Sequence, residues 1–519
     1  MVPSENKTFS KVLIIGAGFS GLATACQLKR EHNCDDYVIY DRSPAPGGTW
    51  WANKYPGCAV DIPAVFYSLS FAPNPDFSKV YPPQAEILEY FNRVADKFDV
   101  SRHIVRNTEW EGAYWQDRTN SWLVKLKDLS TGQTFYHECK ILISAVGALV
   151  NPNPFGVLGA EVFEGDIVHT AAWKADLSLH QKDVIVVGNG CSAAQLIPAI
   201  SQEARSITQF IRTPQFYLQN ENMQISNKWK FVFRYVPGVQ LLLRLIVFLY
   251  LESTAVRFNI NHKGNKARFS SAERSKAYRR IFDNNRYISC LQQRNIHLTD
   301  DPIVKISSHS ILTKSGQEYP ADAILLATGF ALTQYDVELV GRNGRTRDEH
   351  WGNFGYKEAY KSTAMSGFPN FFYVLGPNSG KGHTSAIYCI EKYYPVNCDA
   401  SYVKLVMKVI APVLQGHASF VEVKPDSEKD YNESLHEKIA TTIFNSSCSS
   451  YFIDYKSQKN WFIYPWNSFV MWYSTHWSSS DDWTYDARPD KNQRVLSFSH
   501  LLLLLALSMI PISLTMTVS

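Results

Sequence analysis

Two stretches of the chain share one pattern: a short run of consecutive apolar residues, a glycine-punctuated turn, then a helix-compatible segment. The first, residues 11–29, runs from Val12-Leu13-Ile14-Ile15 into Gly16-Ala17-Gly18-Phe19-Ser20-Gly21. The second, residues 183–200, runs from Val184-Ile185-Val186-Val187 into Gly188-Asn189-Gly190-Cys191-Ser192-Ala193. A short apolar run bounded by turn signals reads as a strand buried on both faces, so each unit opens a doubly wound α/β sheet. Between them, residues 84–98 predict a helix, and 122–126 and 135–146 predict strands. The alternation in Trp122-Leu123-Val124-Lys125-Leu126 fits a half-exposed meander. After the second unit, residues 231–252 are apolar around Pro237 and Gly238, and 263–280 are charged and helix-prone, which together predict a helical insertion. The apolar block reads as a core or substrate-tunnel helix, because Arg234 and Arg244 weigh against a second membrane contact. Strands return at 295–298 and 323–327, and the rest, to about Asp490, mixes Gly, Pro and Asn turns with helix-compatible segments.

Residues 495–518 contain no Asp, Glu, Lys or Arg, center on Leu501 to Leu505, and follow Arg488, Lys491 and Arg494. At ~1.5 Å per helical residue such a stretch spans a hydrocarbon core of ~30 Å, which predicts a C-terminal transmembrane anchor. The first residues run from polar positions straight into a strand, so no secretory signal is expected. The expected arrangement is a tail-anchored protein, in the endoplasmic reticulum, with its catalytic body facing the cytosol.

Composition narrows the partners. Lys plus Arg number 52 against 48 Asp plus Glu, and no long basic run appears, so nucleic acid is not an expected partner. The nine cysteines are never spaced C-x-x-C, so neither a metal site nor a dithiol redox pair is expected.

The two glycine turns carry the chemistry. Glycines at 16, 18 and 21 allow a tight turn and let a pyrophosphate approach a helix N-terminus, and Asp41, twenty positions after Gly21, suits ribose hydroxyls. The second turn has Ala193 in the third position, and its following strand ends in Arg212-Thr213 instead of an acid. A guanidinium there suits a 2′-phosphate and favors NADPH over NADH. Two dinucleotide sites without a dithiol predict a flavoprotein that takes hydride from NADPH, with oxygen as the acceptor.

With these features the chain resembles the class B flavoprotein monooxygenases, and most closely their Baeyer-Villiger branch, with a likeness to the fungal enzymes of secondary metabolism. Gly47-Gly48-Thr49-Trp50-Trp51-Ala52-Asn53-Lys54-Tyr55-Pro56-Gly57-Cys58-Ala59-Val60-Asp61 matches the pattern G-G-x-W-x-x-x-x-Y-P-G-x-x-x-D throughout. Phe163-Glu164-Gly165-Asp166-Ile167-Val168-His169 is similar to the linker element F-x-G-x-x-x-H, here ending in Trp173-Lys174. Ala327-Thr328-Gly329-Phe330 is similar to the element where the chain recrosses to the flavin domain, and Gly376-Pro377-Asn378-Ser379-Gly380 to the late flavin segment.

The resemblance implies FAD at Gly16, Gly18, Phe19, Ser20, Gly21, Asp41, Gly48, Thr49, Trp50, Tyr55, Asp61 and Asn378. It implies NADPH at Gly188, Gly190, Ser192, Ala193, Arg212 and Thr213, and cofactor contacts at Thr328 and Gly329, where the chain recrosses to the flavin domain. It also implies a domain order: FAD-binding 8–155, NADPH-binding 156–213, insertion 214–285, NADPH-binding 286–330, FAD-binding 331–490 and anchor 495–518. The implied chemistry is oxygen transfer from a C4a-peroxyflavin to a hydrophobic ketone or aldehyde, giving an ester or lactone. An arginine beside the flavin, Arg279 or Arg280, would hold the developing anion and pair with Asp61. The lysine the family places before it is Tyr278 here, leaving Lys276 or the spare arginine as its replacement. His169 is expected to orient the linker by hydrogen bonding. Two other readings stay open: oxidation of nitrogen or sulfur, which the Lys174 ending allows, and a membrane-tethered flavin redox sensor without an organic substrate.

Overall fold

The first apolar run becomes a central strand because both of its faces are covered. In β1 (Lys7–Ile15), Val12, Leu13 and Ile14 are fully buried. Helix α1 (Phe19–His32) follows and stops at Asn33, whose φ of 47° places it in the left-handed conformation that ends helices. Then come β2 (Tyr37–Tyr40), α2 (Gln84–Lys97), β3 (Thr108–Gln116), β4 (Ser121–Asp128) and β5 (Thr134–Ser144). These strands form one sheet in the order Glu338–Val340, β3, β4, β5, β1, β2, Ile104–Val105. The β1 pairings to β2 and β5 are parallel, while β3, β4 and β5 form an antiparallel meander. The computed structural model describes residues 7–213, 216–219, 221–255, 280–283, 286–331, 333–381, 385–390, 402–442, 444, 453–454 and 457–486.

The second apolar run nucleates an all-parallel sheet. Its elements are β6 (Asp166–His169), β7 (Asp183–Val187), helix α3 (Cys191–Ile200), β8 (Ser206–Phe210), β9 (Ile296–Thr299) and β10 (Ala323–Leu326). The strand order is β9, β8, β7, β10, β6. Between β8 and β9 lie helices α4 (Asn227–Tyr235) and α5 (Val239–Ala255), which meet at 105°. The chain then returns to the first domain through α6 (Arg347–Phe354), β11 (Phe371–Tyr373), α7 (Tyr402–Leu414) and α8 (Pro425–Ala440). Thr346 and Glu349 fix the start of α6 by a reciprocal capping box. One buried cluster runs through both domains, from Val12 and Ile14 to Val184, Ala193 and Leu325.

Two expectations need revision. The meander is more deeply covered than a half-exposed one: Trp122, Val124 and Leu126 are fully buried, and Leu123 is buried as well, because Phe368 and Phe371, the latter on β11 paired to the end of β5, share a core cluster with it. The apolar insertion helix is not a core helix. Phe248 and Arg244 are buried against Phe66, but Leu242, Ile246, Leu249 and Tyr250 are all at least half exposed. Of the charged, helix-prone segment 263–280, residues 263–279 lie outside the described residues; from Arg280 the chain forms a strand, Arg280–Asp283, parallel to Phe216–Gln219. The predicted transmembrane segment 495–518 lies outside the described residues. Among the described residues no single helix is long and apolar enough to cross a membrane, and only the bent pair α4 and α5 passes on length and composition.

Candidate active site

The two glycine turns are closed by the same backbone contact. A Cβ on Gly16 would lie 2.5 Å from the Ala145 carbonyl oxygen, and one on Gly188 would lie 2.4 Å from the Ala327 carbonyl oxygen. Both glycines also have positive φ, 107° and 113°, so each position excludes a side chain twice over. Gly21 completes the first turn, because a Cβ there would sit 2.0 Å from the Gly16 carbonyl oxygen; Ala193 is fully buried at the matching place. The partner of Gly16 is thus Ala145-Val146-Gly147, a counterpart of Ala327-Thr328-Gly329 that sequence reading passed over as the end of a strand. The repeated A-x-G after an apolar run was the available signal.

Asp41 organizes the first turn. Its Oδ2 accepts the Ala17 N–H and its Oδ1 the Ser43 N–H, each at 2.7 Å, which holds the carboxylate at the mouth of the turn. A cavity of about 730 Å³ opens there, lined by Gly16, Gly18, Phe19, Ser20 and Asp41, by Gly48, Thr49 and Trp50, and by Gly147, Ser379 and Lys381. Gly18 and Gly48 face each other so closely that a Cβ on Gly48 would lie 2.9 Å from the Gly18 Cα. The long cavity, the helix N-terminus at one wall and the acid at its mouth fit FAD.

Three residues expected at this cofactor lie elsewhere or act differently. Asn378 is not among the cavity-lining residues. Its buried amide donates to the carbonyls of Asn460 and Ile463, closing the turn against residues 460–463. Tyr55 also lies off the cavity. Its hydroxyl donates to Gln195 Oε1 on α3 at 2.7 Å, and Gln195 Nε2 donates back to the Ala59 carbonyl at 3.0 Å. Asp61 stands outside as well, across from the second turn, where its charge acts on Cys191 and Tyr67. Asp61 and Cys191 keep exposed surface inside the cleft. Desolvation by the surrounding protein raises the Asp61 carboxyl, and it pushes the Cys191 thiol up to about 12, with the Asp61 carboxylate adding to the shift. Tyr67 accepts the Trp50 indole N–H at 3.1 Å, joining this cleft to the first cavity.

The second turn is open where a cofactor would lie. A Cβ on Gly190 would meet no atom within 4 Å, so glycine there serves close approach from outside the chain. Ser192 is half-buried next to it. Arg212 and Thr213 are exposed just beyond β8, and the Thr213 carbonyl accepts the Asn189 amide at 2.7 Å, which fixes their strand end beside the turn. These residues fit NADPH.

The two connectors between the domains run side by side. β6 pairs in parallel with β10, placing His169 opposite Leu326. His169 Nδ1 accepts the Ala171 N–H, so Nε2 carries the proton and donates to the Gly329 carbonyl at 3.0 Å. Burial lowers the His169 pKa, which keeps the ring neutral in this pinning role. Gly165 permits the Asp322 carbonyl to approach; a Cβ would lie 2.3 Å from it and 2.7 Å from the Phe163 ring. Trp173 packs against the shared core, and Lys174 forms a surface ion pair with Asp166 at 2.7 Å. Thr328 gives its carbonyl to Asn153. Arg279, with Lys276 and Tyr278, lies outside the described residues. Arg280 begins the strand that lies against α3.

A family model for an NAD(P)-binding Rossmann-like domain matches residues 14–81. The chain is similar to a Baeyer-Villiger monooxygenase of Pseudomonas aeruginosa, 30% identical over 88% of this chain and 87% of that one. A Baeyer-Villiger monooxygenase of Streptomyces coelicolor is also 30% identical, over 88% of each chain. An FAD-binding monooxygenase of Aspergillus niger is 28% identical over 91% of this chain and 81% of that one. Among solved structures, closed cyclohexanone monooxygenase superposes with a TM-score of 0.77 at 22% identity, covering 93% of this chain and all of that one. Oxidized steroid monooxygenase bound to NADP gives a TM-score of 0.76 at 23% identity, over 92% of this chain and 99% of that one.

Proposed function

The chain belongs to the FAD- and NADPH-dependent Baeyer-Villiger monooxygenases, and we propose that it inserts oxygen beside the carbonyl of a large, apolar ketone or aldehyde. The observation that carries this reading is the double duty of residues 47–61. Gly48, Thr49 and Trp50 line the flavin cavity, while Tyr55 and Ala59 grip Gln195 on the NADPH-side helix, so one segment faces both cofactors. Just beyond Asp61 lies an apolar cluster, Ile62, Val65 and Phe66 packed with Leu245, Val247 and Phe248 of α5, which favors a hydrophobic substrate.

Bound FAD, reduced by NADPH, supplies the oxygen-activating chemistry. The residues of the chain supply position and charge. The N-terminus of α1 and its glycine turn hold a pyrophosphate, and Asp41 holds the ribose. Arg212 selects the 2′-phosphate of NADPH. Arg279 or Arg280 would supply an always-charged guanidinium beside the flavin, and Asp61 would orient that guanidinium. His169 keeps the connectors in register by its bond to Gly329. Lys174, whose type suggested a heteroatom oxidase, is engaged by Asp166 on the surface.

The proposal extends to placement in the cell. The apolar run 495–518 behind Arg488, Lys491 and Arg494 supports a tail anchor in the endoplasmic reticulum with the catalytic body in the cytosol. An apolar substrate and the fungal relatives support a role in secondary metabolism. The test is to supply NADPH and labeled O2 with a panel of cyclic, long-chain and aryl ketones beside a thioether. Labeled ester or lactone supports the reading; sulfoxide with no ester from any ketone overturns it, as does NADPH oxidation that yields only hydrogen peroxide across the panel. A chain ending at Asp490 that still sediments with membranes overturns the anchor.

A further inference from the structure

Three ionizable side chains with no part in the reaction above meet in the interior of the first domain. His350 comes from α6, Glu358 from the turn beyond its end, and Glu428 from the first turn of α8; all three are completely buried. His350 Nε2 lies 3.0 Å from Glu428 Oε1 and 4.0 Å from Glu358 Oε1. One ligand atom from each residue lies within 4.8 Å of the other two. Glu428 Oε2 is held by the Ser366 N–H at 2.8 Å, and the Glu358 backbone is held by the Trp351 indole N–H at 2.9 Å. Yet neither oxygen of the Glu358 carboxylate has a hydrogen-bond partner, nor does His350 Nδ1. One turn along α8 from Glu428, the buried Asn432 Oδ1 is likewise unpartnered.

A buried carboxylate without a partner is costly, and this one faces a second carboxylate. Burial and the Glu428 charge push the Glu358 carboxyl up to about 9, and Lys459 only partly opposes them. Lys459 itself is exposed and stands 3.9 Å over the Tyr356 ring. Ionized, the two acids would leave a net negative charge in the interior even against a protonated imidazole.

We propose that His350, Glu358 and Glu428 bind a divalent transition-metal cation that clamps α6, the segment leading into β11, and α8 together. Two carboxylates, a neutral imidazole and a divalent cation sum to zero charge and give the free Glu358 oxygens a partner. One nitrogen and carboxylate oxygens suit zinc or manganese, whereas magnesium and calcium prefer more oxygen ligands or retained water. Complete burial makes the site structural rather than catalytic. Glu358 stands eight positions after His350 and Glu428 seventy further on, a spacing without a ligand motif, which is why the sequence gives no hint of them.

The test uses the full-length, flavin-loaded enzyme, purified without a metal affinity step or chelator. Elemental analysis should find about one equivalent of zinc or manganese per chain. Exchange against a chelator should lower the thermal midpoint, and zinc or manganese, not magnesium or calcium, should restore it. Glu358→Gln should cut the metal content about tenfold or more. A metal content below about a tenth of an equivalent, with a midpoint unmoved by all four cations, overturns the proposal. Glu358→Gln also separates a metal from a shared proton, since a neutral amide replaces a protonated acid with stability kept or raised but removes a metal ligand. If that variant fails to fold, the wild-type metal content and cation response decide alone.

Discussion

The Tyr55 hydroxyl donates to Gln195 Oε1 at 2.7 Å, so a residue of the flavin-side loop is tied to the helix that opens the NADPH site. The neighboring Gly57 explains the rest of the Y-P-G motif: its φ is 83°, and a Cβ there would lie 2.2 Å from the Gln195 carbonyl oxygen.

Tyr55→Phe removes one hydrogen bond across this contact and should cost ~1 kcal/mol of stability. Gly57→Ala forces both a strained backbone and a backbone clash, and should cost more, ~2–4 kcal/mol. Urea denaturation with flavin absorbance as a second probe checks both. Equal midpoints for the two variants would count against this view of the motif.

Arg212→Ala should lower kcat/KM for NADPH by ~10–100-fold while that for NADH changes little, because only NADPH presents a 2′-phosphate to the guanidinium. Parallel loss with both coenzymes would remove Arg212 from that role. Stopped-flow reduction of the bound flavin reads the effect before oxygen is involved.

Arg279→Ala and Arg280→Ala should behave differently from each other. The variant that loses the catalytic guanidinium should still accept hydride yet form no ester, a loss of ~10²-fold or more in product. The other should keep coupled turnover. Product analysis beside NADPH consumption assigns the role, and coupled turnover in both variants would exclude the pair.

His137 lies in the sheet between Thr8, Ser10 and Tyr40, its ring nitrogens 2.8 and 2.9 Å from the two smaller hydroxyls. Burial lowers its pKa from 6.5 to about 4. The unfolded chain therefore binds this proton more readily than the folded one between those values. The contribution to stability is complete above pH 6.5 and is lost as pH falls toward 4, amounting to ~3 kcal/mol. Unfolding midpoints across that range should show the slope, and His137→Gln should flatten it. An unchanged slope would mean that other groups dominate.

The sequence revealed what depends on short-range periodicity and on glycine. Gly16, Gly188 and their strands stand where the apolar runs placed them, because a buried parallel strand leaves a continuous signature. Residues whose partners come from distant segments were not legible. Asn378 sits in a glycine-rich turn that resembles a cofactor loop, but its contacts are Asn460 and Ile463, some eighty positions later. Composition could not say which face of α5 is covered, since that is decided by Phe66 and its neighbors. The contact between Gly188 and Ala327 was hidden for the same reason.

The bond from His169 to the Gly329 carbonyl has a mechanical meaning. It stitches the NADPH-side sheet at the edge where the chain leaves it, beside the bridge of Pro152 to Phe330, and the Tyr55 bond to Gln195 is a second stitch from the flavin-side loop. A shift of one domain against the other would load both stitches and the core they share, and distances between spin labels on the two domains, read with and without NADP+, measure how far they yield.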